Sequence, residues 1–287
     1  MYIGVFNMMT FSIVARDSVS GDIGIAVASK FPAVGSVVPW ISLDGAVATQ
    51  ALANLEYGRT GLRLLNAGAS AQQVLNILLE NDEGSENRQV GIVDKWGNSM
   101  SFTGNECYPW AGGISGESYA IQGNILVGEQ VVSSMESVYL RTPGDLAEKL
   151  LSALEAGDAA GGDKRGKQSA HLIVFRKNGG YGGGSDVYVD VRVDDHPEAV
   201  SELRRVFEVY SLCLLEREDP SDVSILNDEL YYRIGEKLSN SLHIQLDSIE
   251  EIQAAFHQWM HTENFENKIR DDGKVWNSIL NYLFNLY

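Results

Sequence analysis

Thr10 is the residue whose type and position could do chemistry most directly. It follows Met9 at the start of a β-rich run, at residues 10–15. If Met9 were removed, Thr10 would carry its hydroxyl nucleophile and an α-amine base in one residue. A free α-amine has a pKa of roughly 7.7 to 8.0, and a nearby cation lowers it. Lys30, which ends the second β-rich run, is the candidate cation. A threonine in this position is also an ordinary β-former.

Side-chain amides end two further strand-like runs. Gln50 closes Ala-Thr-Gln and Asn124 closes Gln-Gly-Asn. Such amides can orient a substrate or stabilise an oxyanion. They can equally satisfy backbone groups of a loop. Both interpretations stay open from the sequence.

The segment 161–168 resembles a phosphate-binding loop but departs from it in two ways. Gln168 stands where a Ser or Thr would bind Mg²⁺, and the segment follows a predicted helix and leads into a predicted strand. We therefore expect no nucleotide there. Asp163, Arg165, Gln168 and Ser169 would instead offer polar groups to a small substrate, or form an exposed solubilising loop.

No cofactor and no metal is expected. His257 and His261 have helical i, i+4 spacing, but Gln258 replaces the Glu of a zinc-protease helix and no third ligand accompanies them. Cys107 and Cys213 are too few for a disulfide framework, and we expect both to be buried apolar residues.

Composition limits the partners and the compartment. The 287 residues include 22 Lys and Arg against 39 Asp and Glu, a formal charge of -17. Such a field repels phosphate backbones and anionic lipid, which argues against nucleic acid and membranes. Residues 1–9 lack the features of an export signal, and no apolar run is long enough to span a bilayer. We expect a cytoplasmic protein with a small-molecule substrate that forms a homo-oligomer.

The elements that must position these residues fall into two regions. Only Gly235 and Gly273, of 29 glycines, follow residue 200. The first region alternates hairpins with helices. The hairpins are predicted at 10–15 with 23–29, 88–93 with 99–103, and 171–176 with 187–193. The helices are predicted at 59–66, 70–80 with Ser70 as N-cap, 130–139 and 143–155. Runs that are apolar on both faces indicate two stacked sheets between helical layers. Beyond Pro197 the pattern predicts helices only, among them 222–239, 248–260 and 273–287.

Several stretches in order, among them residues 10–17, 25–30, 34–40, 122–124, 161–169 and 192–196, resemble the DUF1028 family. This resemblance implies the N-terminal nucleophile (Ntn) hydrolase-like fold, an α+β protein with a four-layer αββα sandwich. The tail, particularly 249–280, resembles a peptidoglycan-binding helical domain, so peptidoglycan is a partner by resemblance only. We expect an extension at 1–9, the αββα domain at 10–205, a helical linker at 206–220 and a small all-α domain at 221–287.

Family members commonly begin Met-Thr, whereas eight residues precede Met9 here. The leading hypothesis is an amidohydrolase of unidentified substrate, with Thr10 and Lys30 as catalytic residues. Substrate contacts would come from Gln50, Asn124, Asp163, Arg165, Gln168 and Ser169. The alternative is a protein that keeps this fold and binds a ligand or partner without hydrolysis.

Overall fold

The structure is a computed structural model and describes residues 10–285. The predicted extension at 1–9 lies outside the described residues. The chain divides into two compact units, Met1–Val206 and Phe207–Tyr287. Each unit is described by itself below.

Within the described residues, the first unit contains ten strands and four complete helices. The strands are β1 (Thr10–Arg16), β2 (Ile23–Ser29), β3 (Pro39–Ser42), β4 (Gly45–Ala51), β5 (Arg88–Asp94), β6 (Ser99–Thr103), β7 (Gly112–Gly116), β8 (Tyr119–Asn124), β9 (Ser169–Phe175) and β10 (Val187–Val193). The helices are α1 (Leu55–Asn66), α2 (Ala71–Glu80), α3 (Gln130–Arg141) and α4 (Leu146–Ala159). The unit boundary falls within α5 (Ala199–Leu214).

The strands form two sheets in which every pair is antiparallel. One sheet has six strands in the order β10-β9-β2-β1-β8-β7, and the other has four in the order β3-β4-β5-β6. The three predicted hairpins are confirmed as β1 with β2, β5 with β6, and β9 with β10. The sequence missed β3 and β7 as strands. β7 reads Gly-Gly-Ile-Ser-Gly, and glycine is depleted in strands, so its composition gives no strand signal.

Apolar side chains of the two sheets pack against each other. Val14 and Ile25 of the six-stranded sheet share one buried cluster with Ala46 and Val93 of the four-stranded sheet. On the other face of the four-stranded sheet, α1 and α2 pack on β4 and β5. Helix α4 contacts β1, β2 and β9, and α3 packs against α4. Adjacent side chains of a strand point to opposite faces, so one face of each sheet meets the other sheet.

Helix starts follow local capping chemistry. Ser70 caps α2 as predicted, with a capping box in which its side chain and that of Gln73 bond each other's backbone N–H. The helix predicted at 143–155 begins later, at Leu146, because the Asp145 side chain accepts from the Glu148 N–H and acts as the N-cap.

The second unit contains helices α6 (Asp228–Leu242), α7 (Ile249–Thr262) and α8 (Asn277–Asn285). The prediction of an all-α domain is wrong in one respect. Strands β11 (Val223–Ile225) and β12 (Lys274–Trp276) form a two-stranded antiparallel sheet. Three-residue strands are too short to show a period of two, so in the sequence their apolar residues continue the helical patterns of 222–239 and 273–287.

The core of the second unit centres on aromatic residues. The rings of Trp259 and Phe265 meet edge to face with centroids 5.7 Å apart, and Tyr282 contacts both. Ile234, Leu238 and Ile279 are fully buried around them. Across residues 10–285, none of the helices has the length and apolar character needed to cross a membrane.

Candidate active site

The candidate site lies at one end of the six-stranded sheet. Thr10, the first residue of β1, is directly opposite Ser29 on β2 and Asn124 on β8, and Ser29 is opposite Ser169 on β9. Directly opposite residues of an antiparallel pair project to the same face. Four polar side chains therefore lie in a row across four adjacent strands. Each is no more than 2% exposed.

The hydroxyl groups of this row have specific partners. Thr10 Oγ1 donates to Ser29 Oγ over 3.4 Å, a long hydrogen bond. Ser169 Oγ donates to the Phe31 carbonyl at 2.5 Å and accepts from the Val34 N–H at 3.0 Å. The Ser169 side chain thus anchors the segment that follows β2.

Gln50 brings the four-stranded sheet into the site. Its Nε2 donates to Gln89 Oε1 at 2.7 Å, to the Thr10 carbonyl at 3.3 Å and to the Gln122 carbonyl at 3.4 Å. Its Oε1 accepts from Ser12 Oγ at 2.7 Å. Gln50 is fully buried, so its side-chain amide is engaged within the protein.

Gln89 joins Gln50 to Asn124, and the sequence analysis missed it. Gln89 Oε1 also accepts from Asn124 Nδ2 at 3.0 Å. We call the side chains of Gln50, Gln89 and Asn124 the amide network. In the sequence, Gln89 is simply a polar residue within the strand predicted at 88–93. Only the fold shows that this position is completely buried.

Lys30 lies at the same end of the sheet, in a second group of residues. Its backbone N–H donates to Asp163 Oδ2 at 2.9 Å, and its ammonium donates to the Lys167 carbonyl at 3.2 Å. Among the residues that the structure describes, the ammonium therefore bonds Lys167 rather than Thr10. Asp163 is 6% exposed and links Lys30 to the segment 161–168.

Arg165 contacts both oxygens of the same Asp163 carboxylate. Arg165 Nη2 lies 2.9 Å from Asp163 Oδ2, and its Nε donates to Oδ1 at 3.3 Å. The predicted contact Gln168 points elsewhere, because its Nε2 donates to Asp195 Oδ1 at 3.1 Å. The Gln168 backbone N–H donates to the Ser29 carbonyl, which ties this segment to the end of β2.

The structure thus brings some predicted residues together and separates others. Thr10, Gln50 and Asn124 meet at the amide network. Lys30, Asp163 and Arg165 form a second polar group, which joins the end of β2 to the segment 161–168. A cavity of about 60 Å³ between Phe11, Ser29, Ser169, Asp163 and Lys167 adjoins this segment. Their roles in substrate binding stay predictions.

His171 and Asp190 are a titratable pair that the sequence analysis did not single out. His171 Nε2 lies 2.7 Å from Asp190 Oδ1, and this hydrogen bond lowers the pKa of the Asp190 carboxyl. His171 is 3% exposed, and its Nδ1 is buried without a hydrogen-bond partner in the part of the chain that the structure describes. The pair lies on β9 and β10, two residues along β9 from Ser169.

The two histidines with helical spacing lie in the second unit. The rings of His257 and His261 are 4.6 Å apart, and His261 Nδ1 lies 3.5 Å from Glu266 Oε1. Within residues 10–285, no three side chains of His, Cys, Asp or Glu converge as metal ligands. The segment 161–168 lies between α4 and β9, as predicted, and not between a strand and a helix.

The fold and the site define a mixed α/β protein with a buried threonine at the polar end of two sheets, followed by a helical C-terminal region. Residues 10–203 match the model described as "Family of unknown function (DUF1028)", so the chain belongs to the DUF1028 family. Residues 213–283 match the model described as "Putative peptidoglycan binding domain". Both resemblances expected from the sequence are confirmed.

One solved structure extends this comparison. The chain is similar to the crystal structure of protein SPO2555 from Silicibacter pomeroyi, assigned to family-model DUF1028. The two share 26% sequence identity with a TM-score of 0.65, and the match covers 73% of this chain and 97% of the other. No curated protein matches the chain.

Proposed function

We propose that the first unit is an Ntn-type amidohydrolase domain with a four-layer αββα sandwich, in which Thr10 is the nucleophile. The observation that carries the proposal is the place of Thr10. It begins β1 at the polar end of the space between the sheets, and Gln50 holds its carbonyl. The packing order of α1 and α2, the two sheets, and α3 with α4 supports the sandwich.

The proposed reaction uses two groups of a Thr10 freed at its amine. Thr10 Oγ attacks the amide carbonyl of the substrate while the α-amine accepts the hydroxyl proton. The C–N bond then breaks, the leaving amine takes that proton, and the acyl group stays on Oγ. Water hydrolyses this ester in a second step and regenerates the hydroxyl. Lys30 would lower the pKa of the α-amine through its positive charge.

The other candidate residues would contact the substrate in different ways. Asn124 lies directly opposite Thr10, and because one N–H of its Nδ2 donates to Gln89, the second N–H is a candidate donor to an oxyanion. Asp163, Arg165, Gln168 and Ser169 would shape the approach of a polar substrate along the segment 161–168. Gln50 already bonds groups of both sheets, and the side chains of Gln168 and Ser169 also have partners within the protein.

The proposal is tested first by the mass of the purified native protein. A chain that begins at Thr10 fits the mechanism, and one that retains Met9 cannot use it. The form beginning at Thr10 is then treated with a β-lactone, whose ring carbonyl acylates a nucleophilic hydroxyl. We expect one adduct at Thr10, retained by Thr10→Ser and lost in Thr10→Ala. Equal labelling of Thr10→Ala would exclude the role.

The alternative is a non-catalytic protein that binds a ligand or partner with this fold. The observation that favours it is the burial of Thr10, which is 0% exposed. A binding protein needs no reactive amine, so the β-lactone would leave Thr10 unlabelled in both forms of the chain. A metabolite whose binding raises the midpoint of thermal unfolding without being consumed would support this alternative.

For the second unit we propose peptidoglycan as the partner, on the family match at 213–283. The test is sedimentation of the full chain with insoluble purified peptidoglycan, with and without excess soluble fragments. Retention that the fragments abolish is expected, and a chain that stays in the supernatant dismisses the proposal. A homo-oligomer and a cytoplasmic location stay predictions. Sedimentation velocity of the full chain tests the first.

A further inference from the structure

We propose that Gln89 is a positioning residue for Thr10, acting through the amide network. The inference rests on the proposed function, since it says how the nucleophile is held. Gln89 is fully buried on β5, in the sheet opposite Thr10. It acts on Thr10 through Gln50, and through Asn124 on the strand paired with Thr10.

Two backbone carbonyls set the orientation of the Gln89 amide. Its Nε2 lies 2.8 Å from the Gly123 carbonyl, 3.2 Å from the Gly112 carbonyl and 2.8 Å from Thr103 Oγ1. A carbonyl oxygen only accepts hydrogen bonds, so the atom that faces two of them must be the nitrogen. Gln89 Oε1 therefore points to the other side.

The orientation of Gln89 determines that of its two neighbours. Because Gln89 Oε1 only accepts, both Gln50 and Asn124 must present their nitrogens to it. Gln50 Nε2 is thereby placed to donate to the Thr10 carbonyl, and Asn124 keeps its Oδ1 as the atom turned away from Gln89. A flip of either amide would place two acceptors against each other in a buried site, which is costly.

The consequence for Thr10 is geometric. The Thr10 carbonyl is one bond from the Cα that carries both the side chain and the amine. A hydrogen bond to that carbonyl from the opposite sheet thus restrains the nucleophile and the base together. Displacing a reacting group by about 1 Å can cost roughly a hundredfold in rate.

The experiment compares the rate of β-lactone labelling at Thr10 in folded variants of the chain beginning at Thr10. Gln89→Met keeps the size of the side chain and removes its hydrogen bonds, and we expect labelling to be roughly tenfold to a hundredfold slower. Asp94→Asn is the matched control. Asp94 is equally buried at the other end of β5, and its carboxylate accepts from the Ala71 N–H and from Asn98 Nδ2, which lie outside the amide network. We expect its labelling rate to stay within about twofold of the wild type.

Gln89→Glu separates positioning from simple loss of stability. In this variant the protonated carboxyl retains one donor and one acceptor, whereas the ionised carboxylate would face two carbonyl oxygens, so burial raises the pKa of the introduced group. Relative to wild type at the same pH, we expect labelling within about threefold at pH 5.5 and at least about tenfold slower at pH 8.5. If Gln89→Met does not fold, this comparison decides the matter.

The outcomes separate the two proposals. If wild-type Thr10 is not labelled, the proposed nucleophile fails and the role of Gln89 fails with it. If wild type is labelled and the folded Gln89 variants match it at every pH, the nucleophile stands and the positioning role is overturned. A defect in Asp94→Asn as large as that in Gln89→Met would also overturn it, because a change at any buried polar side chain of β5 would then have the same effect.

Discussion

Gly91 offers a sharp test of how tightly the two sheets approach each other near the candidate site. Gly91 lies on β5, and a Cβ added to it would lie 2.2 Å from Gln122 Oε1 and 2.6 Å from Gln122 Cδ and Nε2. These distances are at least about 1 Å short of an optimal contact. Gln122 is fully buried, so its amide has no route to solvent. In Gly91→Ala the Gln122 amide must move and give up its 2.6 Å hydrogen bond to Ser12 Oγ.

Three effects determine how much Gly91→Ala changes the free energy of unfolding. Overpacking of a buried site costs about 1 to 3 kcal/mol. The lost hydrogen bond adds about 0.5 to 1.5 kcal/mol. Replacing glycine restricts the unfolded chain and returns about 0.4 to 1 kcal/mol. We therefore expect Gly91→Ala to lower the free energy of unfolding by about 2 kcal/mol.

The assay is urea unfolding of the full chain, followed by tryptophan fluorescence. In a Gln122→Ala background the Gly91→Ala change should cost about zero, a coupling of about 2 kcal/mol between the two sites. Gly184→Ala is the control, because Gly184 has an ordinary φ of -84° and its added Cβ would be 3.4 Å from the nearest atom, the Tyr181 carbonyl oxygen. It should be neutral or slightly stabilising. A cost for Gly91→Ala that is unchanged in the Gln122→Ala background would refute the reasoning.

Three further predictions concern charged and titratable groups. Asp82→Asn should lower the free energy of unfolding by about 1 to 3 kcal/mol at pH 7, because hydrogen bonds from Arg88 hold the pKa of the Asp82 carboxyl well below its usual range. Since this pKa is depressed in the folded state, the difference persists above about pH 4 and shrinks as the pH falls further, which urea unfolding at several pH values measures. Lys268→Met should destabilise the second unit by about 3 kcal/mol or more in thermal unfolding, because the buried ammonium pairs with Glu218 at 2.7 Å. Burial, together with a hydrogen bond to the Glu136 carboxylate, raises the pKa of Tyr119 to about 12. In an absorbance titration at alkaline pH, Tyr119→Phe should therefore show one fewer phenol ionising at high pH than the wild type. The folded state holds this phenol neutral, so its contribution to stability is present below about pH 10 and is lost as the pH rises toward 12.

Matched variants check each of these three predictions. For the first, Asp44→Asn breaks an ion pair whose side chains are 35% and 38% exposed, and its cost should stay under about 1 kcal/mol. For the second, Arg270→Gln removes the ion pair with Asp272, which is more exposed than that of Lys268 with Glu218. It should lower the free energy of unfolding by under about 1 kcal/mol. For the third, Glu136→Gln should move the phenol pKa back toward its ordinary value. Equal losses in the matched charge variants, or an unmoved phenol, would contradict the assignments.

The sequence predicts those features of the fold that depend on a few neighbouring residues. The turn formers between β1 and β2, and the cap at Ser70, act over a few residues, so a single stretch of sequence contains the information. Thr10 and Asn124 each have a signal in the sequence, but their pairing depends on the order of the strands, which residue spacing does not reveal. Gln89 is 39 residues from Gln50 and 35 from Asn124, and only the approach of the two sheets makes it the centre of a network.

The amide network bears on function because stability alone does not require it. Most of the space between the sheets is filled by Val, Ile and Ala, which pack without directional constraints. Buried amides are tolerated only when hydrogen-bonded, and a well-packed apolar end would bury the same surface without that condition. Amides do what apolar side chains cannot, since their hydrogen bonds specify one orientation and one register between the sheets. The network reaches the main chain of β1 at the Thr10 carbonyl. A costly and directional arrangement placed at that residue supports the proposal that Thr10 is the group whose position matters.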